Sequence, residues 1–138
     1  MKNIININET IKPFNKTLKI EGDKSLSIRW ALLASQAIGK SKSYNLLRSE
    51  DVIHTLRCLR QLGIKVKLSK GSCEITGNGL NGFSYKRNIT LDSGNSGTLG
   101  RLIMGLLIHS KVKIKIKGDK SLSKRDFLRV TKPLKKFG

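Results

Sequence analysis

Two octapeptides in this chain are almost the same: Gly22-Asp-Lys-Ser-Leu-Ser-Ile-Arg29 and Gly118-Asp-Lys-Ser-Leu-Ser-Lys-Arg125 match at seven of eight positions. Each follows a segment that reads as a strand and precedes one with helical periodicity, so the chain is expected to turn two chemically alike strand-to-helix corners. Such a corner leaves backbone N–H groups free at the helix start and aims the helix dipole at an anion, with Lys, Ser and Arg to complete the coordination. The same residues also read as two capped turns with solvated lysines, and on their own they leave both readings open.

Around these corners the pattern alternates. Ile4, Ile5 and Ile7 mark a first strand that Pro13 interrupts, and Thr17 to Glu21 reads as a second. Ser25 is placed to cap a helix from Leu26 to Ile38, with Leu26, Trp30, Leu33 and Ala37 at helical spacing and Gly39 as its stop. Lys42 to Leu47 reads as a strand. Ser49 is expected to cap the next helix, with Glu50 and Asp51 at its positive end and Val52, Leu56, Leu59 and Leu62 on one face up to Gly63. Ile64 to Leu68 and Ser72 to Thr76 form a hairpin around Lys70-Gly71. Beyond a loop from Gly77 to Gly82, the order resumes: strand Asn88 to Leu91, helix Thr98 to Ile108, strand Val112 to Lys117, and helix Asp126 to Phe137 with Pro133 inside it.

The second pass can be laid on the first. With an offset of 126 − 51 = 75, Asp51-Val52-Ile53 falls on Asp126-Phe127-Leu128 and Leu62-Gly63 on Phe137-Gly138. The expectation is one complete βαβαββ unit and a second that stops after βαβα, a piece of a longer protein.

Composition narrows the function classes. Hydrophobic residues make up 38% of the 138, enough for a core, and 28 Lys plus Arg against 9 Asp plus Glu give a formal charge of +19. That field favours anionic partners without separating nucleic acid from phosphorylated metabolites. No apolar run approaches the roughly 20 residues that span a bilayer, and no apolar stretch with a cleavage site opens the chain. Cys58 and Cys73 are too few for a zinc site or a disulfide framework, so a reducing, cytoplasmic setting is expected.

Between the two octapeptides lies Leu91-Asp-Ser-Gly-Asn-Ser-Gly-Thr98, with Arg101 one turn into the following helix. Gly94 and Gly97 allow a ligand close to the backbone, and Asn95 and Thr98 offer side-chain hydrogen bonds. Gly39-Lys40-Ser41 ends like a P-loop, but Ala34 stands where the opening glycine belongs. His54 and His109 have no companions at metal-ligand spacing and read as surface or capping residues.

Taken in order, the two octapeptides, Asn45-Leu-Leu-Arg-Ser-Glu-Asp-Val52 and Asp92-Ser-Gly-Asn-Ser-Gly-Thr98 with Arg101 resemble the N-terminal part of the 5-enolpyruvylshikimate-3-phosphate synthase (3-phosphoshikimate 1-carboxyvinyltransferase) family. The resemblance runs from about residue 17 to the end. It implies an α+β fold of α/β prism type: residues 1–16 a strand segment belonging to the far lobe, 17–82 the first βαβαββ unit, 83–138 an incomplete second, and the rest of a two-lobed enzyme absent. The implied reaction is enolpyruvyl transfer from phosphoenolpyruvate to the 5-hydroxyl of shikimate 3-phosphate, with no metal or other cofactor. Carried over, Lys24 is the catalytic residue and touches both substrates. Ser25 and Arg29 bind shikimate 3-phosphate, and Asn95, Gly97 and Arg125 hold phosphoenolpyruvate. The implied partners are these small anions, with no membrane and no specific nucleic acid, and a full-length enzyme that is a monomer; this chain alone is expected to be inactive.

The sequence also departs from the family. Glu21, Leu102 and Asp126 stand where Pro is usual, and Asp126 puts a negative charge beside the expected anion ligand Arg125. The sister transferase acting on UDP-N-acetylglucosamine carries Lys-Asn in place of Lys24-Ser25. A basic RNA-binding module is the rival from another class. Against it stand an aromatic content of 5%, no stacking motif, and basic residues scattered along the chain.

Overall fold

The computed structural model describes residues 8–10 and 12–137, and the expected strand at Ile4 to Ile7 lies outside them. Helix α1 (Lys24–Gln36) opens the regular structure, followed by strand β1 (Ile38–Tyr44), helix α2 (Glu50–Gln61), and strands β2 (Lys65–Ser69) and β3 (Ser72–Asn78). Strand β4 (Thr90–Asp92), helix α3 (Gly97–Leu106), strand β5 (Lys115–Lys117) and helix α4 (Leu128–Leu134) complete it. The fold is thus mixed helix and strand.

Helix α2 forms as its pattern dictates. Val52, Leu56, Leu59 and Leu62 are fully buried, and Gly63 turns the chain at φ +83°. Ser49 occupies the N-cap position without a side-chain cap bond, and its hydroxyl is buried without a partner. Helix α1 departs from expectation at both ends. Asp23, not Ser25, caps it, its Oδ1 accepting from the Leu26 amide at 2.6 Å, and the helix stops at Gln36. Gly39 lies inside β1 at φ +91°.

The buried face of α1 also differs. Ile28, Ala31, Leu32, Ala34 and Ser35 face inward, while Leu26 and Leu33 stay 64% and 68% exposed. The small residues decide this, because they let β3 approach α1. A Cβ on Gly77 would collide with the Ala34 carbonyl oxygen, so no larger residue fits there.

The three-stranded sheet runs β1-β3-β2 with both pairings antiparallel. Cys73 and Ile75 point inward from β3, and Lys40, Lys42, Lys65 and Lys67 face solvent. Strands β4 and β5 pair in parallel, joined through α3. One apolar cluster runs from Ile28, Leu56 and Ile75 into Leu91, Leu99 and Ile103, so both parts share a core. Residues 17–21, expected as a strand, join no ladder. A strand needs a neighbouring backbone, and the Asn45 amide donating to the Ile20 carbonyl at 3.1 Å supplies only a side-chain tether.

Candidate functional site

The two octapeptides begin alike and then diverge. In the second, Asp119 Oδ1 accepts from the Leu122 amide at 2.7 Å, matching the Asp23 cap. The first continues into α1 because Ile28 buries completely. The second carries exposed Lys124 in that position and buries Leu122, so it makes a single 3-10 turn, Leu122–Lys124, and leaves Arg125 extended at ψ 145°. The helix expected from Asp126 starts at Leu128. Asp126 turns its carboxylate back to the Leu128 amide, 2.7 Å away, and does not line the hollow described below.

The carboxyl ends of β4 and β5 bring the glycine-rich loop against this second corner. The Ser93 amide donates to the Lys117 carbonyl and the Asp119 amide to the Gly94 carbonyl, each at 2.9 Å. Asp92 steadies the loop by accepting from the Gly94 amide at 2.9 Å and pairing with Lys117 Nζ at 3.0 Å. Those two contacts, the amide first, hold its carboxyl below the usual carboxylate range. Ser96 caps α3, accepting from the Leu99 amide at 3.3 Å. The amides of Gly97 and Thr98, in the first helical turn, have no intrahelical acceptor and lie at the positive end of the dipole.

The first corner reaches the same place from the other side. Gly22 packs so tightly on Asn45 and Leu47 that any Cβ would collide with their backbone. Buried Ser27 donates to the Asp23 carbonyl at 2.6 Å and accepts from the Leu47 amide at 3.1 Å. These contacts lay the start of α1 beside the start of α2, where Lys24 Nζ meets Asp51 Oδ2 at 3.1 Å.

The result is an open hollow of about 390 Å³ among the starts of α1, α2 and α3 and the second corner. Of the residues to which the family resemblance gives substrate roles, Lys24, Asn95, Gly97 and Arg125 line it together. Arg125 Nη2 donates to Asn95 Oδ1 at 2.6 Å. Ser25 and Arg29 lie outside it. Arg29 borders an apolar groove between α1 and α3 with Leu33, Leu102 and Leu106.

Thr98 and Arg101, which the sequence places in the same glycine-rich block without a substrate role, complete the lining together with Asp51, which the sequence marks only at the start of a helix. Arg101 donates to the carbonyls of Gly97 at 3.3 Å and Asp126 at 3.0 Å, and its guanidinium lies 4.9 Å from the Phe127 ring centroid. Three cations face one carboxylate, so the hollow carries 3 − 1 = +2 formal charges. A field of that sign favours small anions.

Metal chemistry finds no cluster of His, Cys, Asp or Glu among the described residues. Burial pushes the Cys58 thiol up to about 11, which keeps it protonated at neutral pH and idle as a nucleophile. Among the described residues, no helix is long and apolar enough to cross a membrane.

Comparison with known proteins gives one answer. A family model described as EPSP synthase (3-phosphoshikimate 1-carboxyvinyltransferase) matches residues 8–138. A 3-phosphoshikimate 1-carboxyvinyltransferase of Streptococcus mutans is 45% identical over 122 residues, covering 88% of this chain and 28% of the relative. One from Streptococcus suis is 39% identical over 132 residues, covering 96% and 31%. The solved EPSP synthase of Acinetobacter baumannii superposes with a TM-score of 0.81 at 35% identity, over 88% of this chain and 27% of that one. The chain therefore spans under a third of the length of these relatives.

Proposed function

Since the chain belongs to the EPSP synthase (3-phosphoshikimate 1-carboxyvinyltransferase) family, we propose that its hollow is the phosphoenolpyruvate half of an enolpyruvyl transfer site. In that reaction the 5-hydroxyl of shikimate 3-phosphate adds to C2 of phosphoenolpyruvate while C3 takes up a proton. The tetrahedral ketal phosphate then loses a C3 proton and expels inorganic phosphate, leaving the enolpyruvyl ether. Both substrates are anions, and the protein's task is to neutralise them in a preorganised pocket.

One observation carries this reading: Lys24, Asn95, Gly97 and Arg125, from three separate stretches of the chain, share one cationic hollow at the start of α3. Arg125 offers a planar fork to the phosphate or carboxylate, Gly97 lets the anion reach the helix amides, and Lys24 lies between the two substrates with Asp51 holding its ammonium in place. Shikimate 3-phosphate would extend from the hollow along α1 toward Ser25 and Arg29. We read α1-β1-α2-β2-β3 as a βαβαββ unit over residues 17–82 whose first strand, residues 17–21, pairs with nothing among the described residues, and 83–138 as the first part of another, as in a two-lobed α/β prism. In this reading the chain supplies part of a site that a soluble, monomeric cytoplasmic enzyme completes, and by itself it turns nothing over.

Calorimetric titration of the 138-residue chain with phosphoenolpyruvate tests the reading. Saturable binding is expected, weakened about tenfold or more in Arg125→Ala, the worth of one charge-assisted hydrogen bond. Equal affinity in parent and variant contradicts it.

A further inference from the structure

His54 has no place in the hollow, yet it stands one helical turn beyond Asp51 on α2 and touches the opposite wall's foundations. Its Nδ1 lies 2.9 Å from the Asp92 carbonyl oxygen. A carbonyl oxygen only accepts, so Nδ1 carries the proton and donates. Cys58, one turn further along α2, points its thiol at the same oxygen from 3.4 Å. Two residues beyond Asp92, the backbone of Gly94 (φ +54°) lies directly on the imidazole. A Cβ there would come within 2.7 Å of Nε2 and 2.8 Å of Cδ2.

From that point the loop carries Asn95 and Gly97 into the hollow, and Asp119 at the second corner hangs from the Gly94 carbonyl. The height of the loop over α2 is therefore set where the imidazole meets Asp92 and Gly94. A shift there moves Asn95 relative to Arg125, which it meets at 2.6 Å. Misplacement of about 1 Å in a preorganised site is costly.

We propose that His54 is a positioning residue for this hollow, holding the 93–97 loop at its working height through the Asp92 carbonyl. Asp51 and His54 share one helix, so α2 fixes two walls of the site together. The placement of the loop rests on geometry alone; the consequence for phosphoenolpyruvate rests on the function proposed above.

The test compares His54→Leu, which fills space without an N–H, with His54→Asn, whose amide can put an N–H near the position of Nδ1. Two measurements are made on the 138-residue chain: hydrogen exchange at the amides of Gly94 and Asp119, and phosphoenolpyruvate affinity. In His54→Leu, exchange at both amides is expected to rise about tenfold or more while Ile75 in β3 keeps its protection, and affinity falls by a similar factor. His54→Asn is expected to recover both to within about threefold of the parent.

A side chain that merely fills space gives the reverse order, Leu closer to the parent than Asn, and that result overturns the proposal. So does exchange that rises equally at Ile75, or a His54→Leu chain that binds as tightly as the parent. If the parent binds no phosphoenolpyruvate but the exchange pattern holds, the loop's dependence on His54 stands and the substrate reading falls.

Discussion

Gly97 shows how much one missing methyl can matter. A Cβ on it would stand 2.7 Å from Arg101 Nη1 and 3.2 Å from Arg125 Nη1, so alanine must push both guanidiniums aside. Both are the far ends of flexible side chains, and the backbone at position 97 is helical, so the fold has room to yield. Gly97→Ala is therefore expected to weaken phosphoenolpyruvate binding about tenfold while the melting temperature moves by no more than about 2 °C; unaltered affinity, or a collapse in stability, contradicts this account. That Asn95, Gly97 and residues of the two octapeptides line one hollow was legible because short runs of small and hydrogen-bonding residues mark the chain's tight corners. Asp51 was legible only as a residue that suits a helix start. Its partner Lys24 lies far away in the chain, and no local signal announces a pairing made by two helix N-termini packing together.

Among the elements, the paired octapeptides make the sharpest case. Their capping aspartates act alike, yet Ile28 in the first and Leu122 in the second are the buried anchors, while Leu26 and Lys124 in the matching positions are exposed. Alanine substitution should follow this crossover. Ile28→Ala and Leu122→Ala are each expected to cost about 2–5 kcal/mol, and Leu26→Ala and Lys124→Ala under about 1 kcal/mol. Denaturant unfolding of the four variants checks this, and a loss at Leu26 as large as at Ile28 would mean that α1 packs by its other face. The same logic explains what the sequence revealed. Helix α2 has one apolar stripe and was read correctly along it. Helix α1 is apolar on two faces, so periodicity alone could not choose the one that meets Gly77 of β3. The expected helix from Asp126 failed at its start because Asp126 stands ahead of the Phe127 N-cap and turns its carboxylate to the Leu128 amide rather than entering the helix.

For the molecule as a whole, an apolar groove and a strong net charge matter most. Leu33, Leu102 and Leu106 line an apolar groove of about 260 Å³ between α1 and α3, and the chain carries a formal charge of +19. The strength of that charge makes non-specific anion binding a real competitor to the hollow, because lysines such as those on the outer sheet face attract any phosphate. Position in the molecule must therefore separate the two. The decisive measurement is a phosphoenolpyruvate titration at physiological salt, followed residue by residue through the backbone amide resonances of the chain. The account predicts saturable shifts concentrated at Asn95, Gly97, Thr98 and Arg125, with Lys24 and Asp51 following the same curve. Shifts of equal size at Lys40, Lys42, Lys65 and Lys67, rising without saturation, would contradict it.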